Sequence, residues 1–285
     1  MSMIRRSFSA AERAAADPLA RLLAQKRTVV MGILNITPDS FSDGGQFIDP
    51  ATAIAHARRM AAEGADILDI GAESTRPYVG MTPVSLDDEM ERLGPVLPAA
   101  IDLGLPVSID TIKAKVAAWA LEQGAAIVND VCGLQRDPDM ARVVADHKVP
   151  VIIMHNRDAA DPGIDIVADV TAFFARSLEI ATRAGIASEK IVLDPGIGFG
   201  KTPEQSIMCI SRLAEWKRFG LPLLVGASRK RFIGSVVPSE PNERLPGSLA
   251  AHLIAVENGA AIIRTHDVAE TAQALRVAAA IRSAR

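Results

Sequence analysis

The sequence predicts an α/β protein of the (β/α)8 class, a TIM barrel, and three observations lead to this fold. Eight short apolar runs alternate with longer segments of helical periodicity. The chain of 285 residues has the size of such a barrel. No dinucleotide-binding glycine fingerprint follows the first run, which favours the barrel over an open doubly wound sheet, the competing architecture with the same periodicity.

Residues 1–27 precede the first apolar run and are predicted to be a short N-terminal extension to a single barrel domain at 28–285. In the extension, Asp17 before Pro18 predicts a short helix, because aspartate caps helix starts and proline suits the first turn. We expect this helix to continue to Arg27.

The apolar runs are mostly continuous and rich in β-branched residues, as expected for parallel strands covered on both faces. The predicted strands span 29–34, 67–70, 107–109, 126–128, 151–154, 191–193, 223–225 and 261–263.

The segments between the strands carry helical spacing and start signals. Apolar residues recur at i, i+3 and i+7, for example at Ile54, Ala57 and Ala61. The longest irregular segment, 234–246, is predicted to be a loop. Four helix starts carry capping residues, which are Asp49 with Pro50, Asp137 with Pro138, Thr202 with Gln205, and Asp267 with Glu270.

The composition disfavours several classes of protein. A net charge of −3 and an aromatic content of 4% disfavour a nucleic-acid-binding protein. No apolar run approaches the length of a membrane span, about 18 residues. Two cysteines, Cys132 and Cys209, form neither a disulfide framework nor a zinc knuckle, so we expect a cytoplasmic protein.

Polar residues follow nearly every predicted strand, and the carboxyl ends of barrel strands meet at one mouth where catalytic residues collect. The candidate active site therefore consists of Asn35, Glu73, Asp110, Asn129, His155, Asp194, Ser228 and Arg264. The carboxylates Asp110 and Asp194 suit acid–base work, metal binding or hydrogen-bond recognition. No HExxH, GxSxG or cysteine–histidine signature stands out, which disfavours zinc chemistry and nucleophilic hydrolysis.

Two segments predict ligand contacts. Residues 194–202 nearly match a phosphate-binding P-loop, but Pro195 stands where glycine is required, so we predict a glycine-rich turn beside a flat ligand. Arg264 and His266 stand where the last strand meets the last helix, and a helix start at this place in a barrel predicts an anion site. The basic triplet 229–231 follows strand seven, and the pattern leaves open which side chain points inward.

Seven motifs occur in one order over residues 28–285, and together they resemble the dihydropteroate synthases. They are 31–45 (MGILNITPDSFSDGG), 69–77 (DIGAESTRP), 108–111 (SIDT), 128–130 (VND), 194–201 (DPGIGFGK), 228–230 (SRK) and 264–268 (RTHDV). This family joins 6-hydroxymethyl-7,8-dihydropterin diphosphate to p-aminobenzoate in folate biosynthesis and releases diphosphate. The resemblance therefore implies a transferase with two small-molecule substrates.

The resemblance also implies roles for individual residues. The pterin pocket would consist of Asp110, Asn129, Asp194 and Lys230, with Met154 and Phe199 packed near the ring. Carboxylates suit the amine and ring N–H donors of a pterin edge. The diphosphate would be held by Thr75, Arg264 and His266. Asn35 would bind Mg2+, because an amide oxygen suits a hard cation.

For p-aminobenzoate the resemblance implies a second pocket, which would consist of Phe41, Pro77, Ser228 and Lys230. Asp43 would support the cation that remains when diphosphate departs, and Arg76 would order the loops. The implied catalytic residues are Asp43, Asp110, Lys230 and Arg264.

The chain departs from the family at 78–81 (YVGM), where many members have Gly-Ala. This predicts a differently shaped second loop and bears on p-aminobenzoate and sulfonamide affinity. The family is commonly dimeric through late barrel helices, so a homodimer is implied. Two alternatives remain: a methyltransferase that moves a methyl group from methyltetrahydrofolate to a corrinoid, and a non-catalytic pterin- or partner-binding barrel.

Overall fold

The computed structural model describes residues 17–36, 49–73 and 84–284. Some of the sequence-based predictions lie outside these ranges, namely those for Phe41, Asp43, Thr75, Arg76, Pro77 and the segment 78–81.

The predicted barrel is confirmed. The strands are β1 Val29–Asn35, β2 Ile67–Gly71, β3 Val107–Asp110, β4 Ile127–Asp130, β5 Val151–Met154, β6 Ile191–Asp194, β7 Leu223–Val225 and β8 Ala260–Thr265. All eight are parallel and close into a cylinder in chain order, so that β1 pairs with both β2 and β8.

Helices surround the strands. In the described residues they are α1 Pro18–Leu23, α2 Pro50–Glu63, α3 Leu86–Leu93, α4 Leu97–Ile101, α5 Ala114–Glu122, α6 Met140–His147, α7 Ile166–Ala184, α8 Pro203–Ser211, α9 Arg231–Val236, α10 Leu245–Glu257 and α11 Val268–Ser283. Short 3₁₀ helices are found at Ser188–Lys190, Leu213–Phe219 and Pro241–Glu243. Among the helices that the structure describes, none has the length and apolar character needed to cross a bilayer.

Several strands extend further towards the mouth than the sequence predicts. β3, β4 and β6 end at Asp110, Asp130 and Asp194, because strand pairing depends on the backbone and continues past the apolar side chains. Asp110 is the register partner of Asn129, and Met154 is that of Asp194. Asp110, Asn129 and Asp194 therefore stand on paired strands and not on loops.

Two apolar cores hold the barrel together. The outer core lies between strands and helices and contains Phe174 and Trp216. The inner core fills the amino-terminal half of the barrel and consists of Val29, Met31, Ile67, Ile127, Ile152, Val192, Leu224 and Ile262. Leu19 and Leu22 of α1 pack onto this inner core, so α1 closes the end opposite the mouth.

The N-terminal helix begins as predicted but is shorter. Asp17 caps α1 by accepting two backbone N–H groups. The helix ends at Leu23 and not at Arg27, because Lys26 adopts a left-handed φ of +54°. The guanidinium of Arg27 instead binds both carboxylate oxygens of Asp66, which precedes β2, at 2.6 and 2.7 Å.

Two of the four predicted caps are confirmed. Asp49 caps α2, and Thr202 with Gln205 forms the capping box of α8. Asp49 accepts the backbone N–H of Ala51, and Thr202 and Gln205 accept each other's, which satisfies N–H groups that have no partner inside the first turn of a helix.

The other two predicted caps are wrong. α6 begins only at Met140, so Asp137 is not its N-cap: one carboxylate oxygen of Asp137 accepts the backbone N–H of Asp139 in the turn before the helix, and the other accepts that of Ala114 in α5. Asp267 does precede α11, but its carboxylate pairs with Arg229. A charged guanidinium forms a stronger hydrogen bond to a carboxylate than a peptide N–H does.

The prediction of a loop at 234–246 is wrong in part. α9 runs to Val236, a 3₁₀ helix follows at Pro241–Glu243, and α10 begins at Leu245. Arg244 holds this connection together, because its guanidinium donates to the carbonyl oxygens of Ser239 and Arg229.

Candidate active site

The alternation of side chains along each strand decides which residues reach the barrel interior. On β2, Ile67 belongs to the inner core while Leu68 and Ile70 belong to the outer core, so Asp69 points inward. By the same alternation, the polar residues that point into the mouth include Asp110, Asn129, Asp194 and Arg264.

A buried ion-pair network joins several of these side chains. Arg264 donates from Nε to Oδ2 of Asp69 at 2.6 Å and from Nη2 to Oδ2 of Asp110 at 2.8 Å. Asn129 donates from Nδ2 to the same oxygen of Asp69 at 3.1 Å. The structure thus brings together three predicted site residues, Asp110, Asn129 and Arg264.

The sequence patterns do not single out Asp69, the residue at the centre of this network. Its side chain is 0% exposed. A signal was present, because a carboxylate that interrupts the apolar run at 67–70 must be paired where it is buried. The sequence alone did not show that Arg264, which is 195 positions away, is the partner.

Burial changes the acidity of the two predicted carboxylates. Desolvation, opposed by Arg264 and reinforced by Asp69, raises the pKa of Asp110 to about 7. Desolvation also raises the pKa of Asp194 to about 6, although the backbone N–H of Gly196 binds its Oδ1 at 2.7 Å. Both groups therefore titrate close to neutral pH.

One carboxylate oxygen of Asp110 lacks a hydrogen-bond donor. Its Oδ1 is buried and has no hydrogen-bond partner among the residues that the structure describes. An unsatisfied buried acceptor costs about 1–3 kcal/mol. This oxygen is therefore suited to an N–H donor of a ligand.

An apolar wall lies beside these acids. It consists of Val131, Cys132 and Met154, with Ile112 and Phe199 packed against them. The Nζ atom of Lys230 lies 4.0 Å from the centroid of the Phe199 ring, which is a cation–π contact. Gly198 permits this approach, because a Cβ there would lie 3.3 Å from Cδ of Lys230.

The structure resolves which member of the basic triplet points inward. Lys230 lies over Phe199 at the mouth. Arg229 pairs with Asp267 at the start of α11, and Arg231 is exposed. The backbone of Arg229 has a left-handed φ of +57°, and this turn sends adjacent side chains in different directions.

Ser228 and His266 meet between β7 and β8. Oγ of Ser228 accepts the backbone N–H of His266 at 3.2 Å and lies 3.0 Å from Nδ1 of its ring. Arg264 is two residues before His266 on the same strand end. The imidazole and the guanidinium there are donors of the kind that bind anions.

Asn35 ends β1 and is the register partner of Gly71 at the end of β2. Within residues 17–36, 49–73 and 84–284, no group of three or more histidine, cysteine, aspartate or glutamate side chains could hold a metal ion. Among these described residues, a cation at Asn35 would therefore find few other protein ligands.

A second buried network supports the glycine-rich turn at 194–202. Nζ of Lys201 lies 2.7 Å from Nδ1 of His155 and donates to the carbonyl oxygen of Phe199 at 3.1 Å. Nε2 of His155 lies 3.0 Å from the carboxylate of Asp169 in α7. Desolvation lowers the pKa of Lys201 to about 8 and that of His155 to about 3. His155, which the sequence placed at the mouth, thus supports the turn.

Most of the predicted site residues that the structure describes lie at the mouth of the barrel. The part of the chain that contains them is similar to known proteins. The family model described as "Pterin binding enzyme" matches residues 31–266, a span that includes all of them. A dihydropteroate synthase from Synechocystis sp. is 47% identical over 265 residues, covering 90% of this chain and 91% of its own length. The chain belongs to the dihydropteroate synthases.

Solved structures of dihydropteroate synthases have the same fold. The Clostridium difficile enzyme, crystallised in the presence of pteroic acid, is 49% identical with a TM-score of 0.85, covering 90% of this chain and 97% of that one. The Xanthomonas albilineans enzyme with 4-aminobenzoic acid is 43% identical with a TM-score of 0.85, covering 90% and 94%. These relatives favour a dihydropteroate synthase, a transferase of folate biosynthesis, over the methyltransferase and non-catalytic alternatives.

Proposed function

We propose that the acidic pocket of this dihydropteroate synthase binds the pterin ring of 6-hydroxymethyl-7,8-dihydropterin diphosphate while p-aminobenzoate replaces the diphosphate. The observation that carries the proposal is the placement of Asp110 and Asp194, two buried carboxylates that end strands at the same mouth beside an apolar wall. A flat heterocycle with N–H donors along one edge fits such a surface. The pteroic acid and 4-aminobenzoic acid named with the two solved relatives are consistent with these substrates.

The pterin edge would be held by acceptors on three strands. Asp110, Asn129 and Asp194 are each less than a tenth exposed, so their hydrogen bonds to a ligand would be protected from water. Lys230 lies over Phe199, and its positive charge partly offsets the rise that burial causes in the pKa of Asp194. The same amine would face the carbonyl side of the pterin ring.

The chemical step breaks the bond between the pterin methylene carbon and the diphosphate oxygen and forms a bond from the amine nitrogen to that carbon. As diphosphate departs, positive charge develops on the pterin. Asp110 and Asp194 would stabilise that charge, while Arg264 and His266 would hold the departing anion. The amine then loses a proton to complete the product.

The implied Mg2+ fits the residues at β1. Asn35 supplies one amide oxygen at the mouth, and Mg2+ in phosphate sites commonly takes only one or two protein ligands beside phosphate oxygens and water. When bound there, Mg2+ would neutralise charge on the diphosphate.

The resemblance assigns further roles to residues outside the described ranges. Thr75 would contact the diphosphate, and Asp43 would support the pterin cation. Phe41 and Pro77 would contact p-aminobenzoate together with Ser228, and Arg76 would order the loops.

A diphosphate-release assay tests this function. With the pterin diphosphate, p-aminobenzoate and Mg2+, the purified chain should release one diphosphate for each dihydropteroate formed. A methyltransferase would release none and would act on methyltetrahydrofolate and a corrinoid. A non-catalytic barrel would bind pterin without turnover.

The same assay tests the metal ligand. Asn35→Ala should lower Mg2+-dependent turnover by about tenfold or more and leave pterin affinity nearly unchanged, because the amide acts on the diphosphate and not on the ring. Asn242→Ala, at an exposed asparagine far along the chain, is the matched control and should behave as wild type. Unchanged turnover in Asn35→Ala would remove Asn35 from the metal site.

The proposed assembly is a homodimer. Large exposed apolar side chains in the described residues are concentrated on α8 to α11 and at the residue directly after α9, and they are Ile207, Met208, Val236, Val237, Ile254, Val277 and Ile281. These helices are neighbours, because α10 packs against both α8 and α11 and α9 packs against α8. Apolar side chains on adjacent helices favour association, and a two-fold axis would let a second copy cover them with the same surface.

The proposed location is the cytoplasm. Cys132 and Cys209 are both unpaired and buried. Desolvation raises the pKa of both thiols, which keeps them protonated. Unpaired thiols are typical of proteins in a reducing compartment.

A further inference from the structure

Asp69 is a buried carboxylate with no direct part in the reaction described above. It lies in the middle of β2, is 0% exposed and points into the barrel just above Ile67 of the inner core. An ionisable group in such a position is costly to bury unless it is paired and hydrogen-bonded.

Both of its hydrogen bonds go to residues of the proposed pterin pocket. One oxygen, Oδ2, accepts from Nε of Arg264 at 2.6 Å and from Nδ2 of Asn129 at 3.1 Å. The guanidinium of Arg264 is held a second time, by Asp110 at 2.8 Å. Hydrogen bonds from two different nitrogens restrain the rotation of a guanidinium, so Asp69 and Asp110 together set the orientation of Arg264.

Asp69 also determines which way the amide of Asn129 faces. A carboxylate accepts hydrogen bonds and does not donate them, so only the NH2 group of Asn129 can face it. The carbonyl oxygen lies on the other branch of the planar amide and remains available to a ligand. An acceptor is the group that a pterin N–H requires, whereas the reversed amide would place NH2 against N–H.

We propose that Asp69 is a positioning residue that sets the hydrogen-bond polarity of the pterin pocket by orienting the amide of Asn129 and anchoring Arg264. It acts through these two residues, and its other oxygen, Oδ1, is buried without a hydrogen-bond partner among the residues that the structure describes. This inference rests on the proposed pterin pocket. It adds Asp69 as the residue that turns the carbonyl oxygen of Asn129 towards the ligand.

The first variant for the test is Asp69→Asn, which keeps the shape of the side chain and removes its charge. The amide introduced by this substitution can donate to the carbonyl oxygen of Asn129, which would turn the NH2 group of Asn129 towards the ligand. The dissociation constant for 6-hydroxymethylpterin, measured by calorimetry, should rise by about tenfold or more. Circular dichroism establishes that the variant is folded.

The second variant exchanges the two groups. In Asp69→Asn/Asn129→Asp, the new amide donates to the new carboxylate, and the second carboxylate oxygen faces the ligand as an acceptor. The double variant should bind 6-hydroxymethylpterin at least about fivefold more tightly than Asp69→Asn. A purely structural role for Asp69 would not produce this recovery.

Asp66→Asn is the matched control, because Asp66 forms an equivalent pair with Arg27 at the opposite end of β2. Its affinity for pterin should equal that of wild type. Wild-type affinity in Asp69→Asn, or a folded double variant that binds no better than Asp69→Asn, would overturn the inference. If Asp69→Asn does not fold, the double variant carries the test alone, and absent binding in its folded form overturns the inference. Absent binding by wild type would instead refute the pterin pocket itself.

Discussion

At the scale of single residues, the pocket depends on ionisable groups that are kept from water. Asp110 and Asp194 could be predicted from the sequence, because each follows a buried apolar run and such positions lie at a barrel mouth. Asp69 could not be assigned in the same way, because its place inside a strand does not reveal its partners. The chemistry of the acids also comes from the structure, since burial raises the pKa of both predicted carboxylates.

Pterin binding should therefore weaken in acid. The pKa of Asp110 is about 7 and that of Asp194 about 6, so lowering the pH from 8 to 5 protonates both carboxyls and removes charged acceptors. The affinity for 6-hydroxymethylpterin should fall by about a hundredfold or more over this range, since each pH unit below a pKa is a factor of ten. Calorimetric titrations at several pH values check this.

Asp110→Asn is the variant that separates the two acids. It should bind more weakly than wild type at pH 8 and should show a shallower pH dependence, because only Asp194 still titrates. An affinity of the wild-type protein that stays constant between pH 8 and 5 would contradict the assigned acidities.

At the scale of elements, the sequence patterns predict all eight strands, but several strand and helix ends differ from the predicted ones. Asp49 and Thr202 cap helices as predicted, whereas Asp267 is taken by Arg229. A capping pattern indicates only that a side chain can accept hydrogen bonds from nearby backbone N–H groups. A charged side chain from another part of the chain can bind the same carboxylate in their place. The sequence pattern does not show where that partner is.

The helix α10 illustrates a further element-level effect. Its buried face consists of Ser248, Ala251, His252 and Ala255. His252 is 1% exposed, and neither ring nitrogen has a hydrogen-bond partner among the residues described. Desolvation lowers its pKa from 6.5 to about 4, so the helix packs against the barrel with a neutral imidazole.

This histidine should make the fold less stable in acid. Between pH 6.5 and about 4 the unfolded chain binds a proton on His252 that the folded chain does not, so the free energy of unfolding falls as the pH falls. The contribution is about 3 kcal/mol at most. In urea unfolding at pH 7 and pH 4.5, His252→Leu should lose less stability between the two pH values than wild type. Equal losses in both proteins would contradict this role.

At the scale of the whole molecule, closure of the barrel creates the site. Arg264 lies 195 positions from Asp69 and 154 from Asp110 in the chain, yet β8 pairs with β1 and brings it within hydrogen-bond distance of both. The exposed apolar side chains on α8 to α11 are likewise gathered by the packing of helices around the barrel. In the proposed homodimer, a second copy of the chain would cover this surface.

Charge placed on that surface should separate the proposed dimer into monomers. Ile254→Glu and Val277→Glu introduce carboxylates at two exposed apolar positions, and burying a charge between subunits is unfavourable. Sedimentation velocity should show a dimer for wild type and a monomer for the double variant. Lys115→Glu, an exposed site on α5, is the control and should remain dimeric. A double variant that stays dimeric would place the interface elsewhere.

The sequence by itself determined the barrel, because eight apolar runs alternating with amphipathic segments allow few other ways to bury their apolar faces. It also determined most of the mouth, since polar residues at strand ends need no distant partner to be recognised, and the ordered motifs identified the family. Only the tertiary structure decided the pairing of Asp69 with Arg264 and Asn129, the use of Asp267 by Arg229, and the inward turn of Lys230. These contacts join segments that are far apart in the chain, and the segments come close together only when the barrel closes.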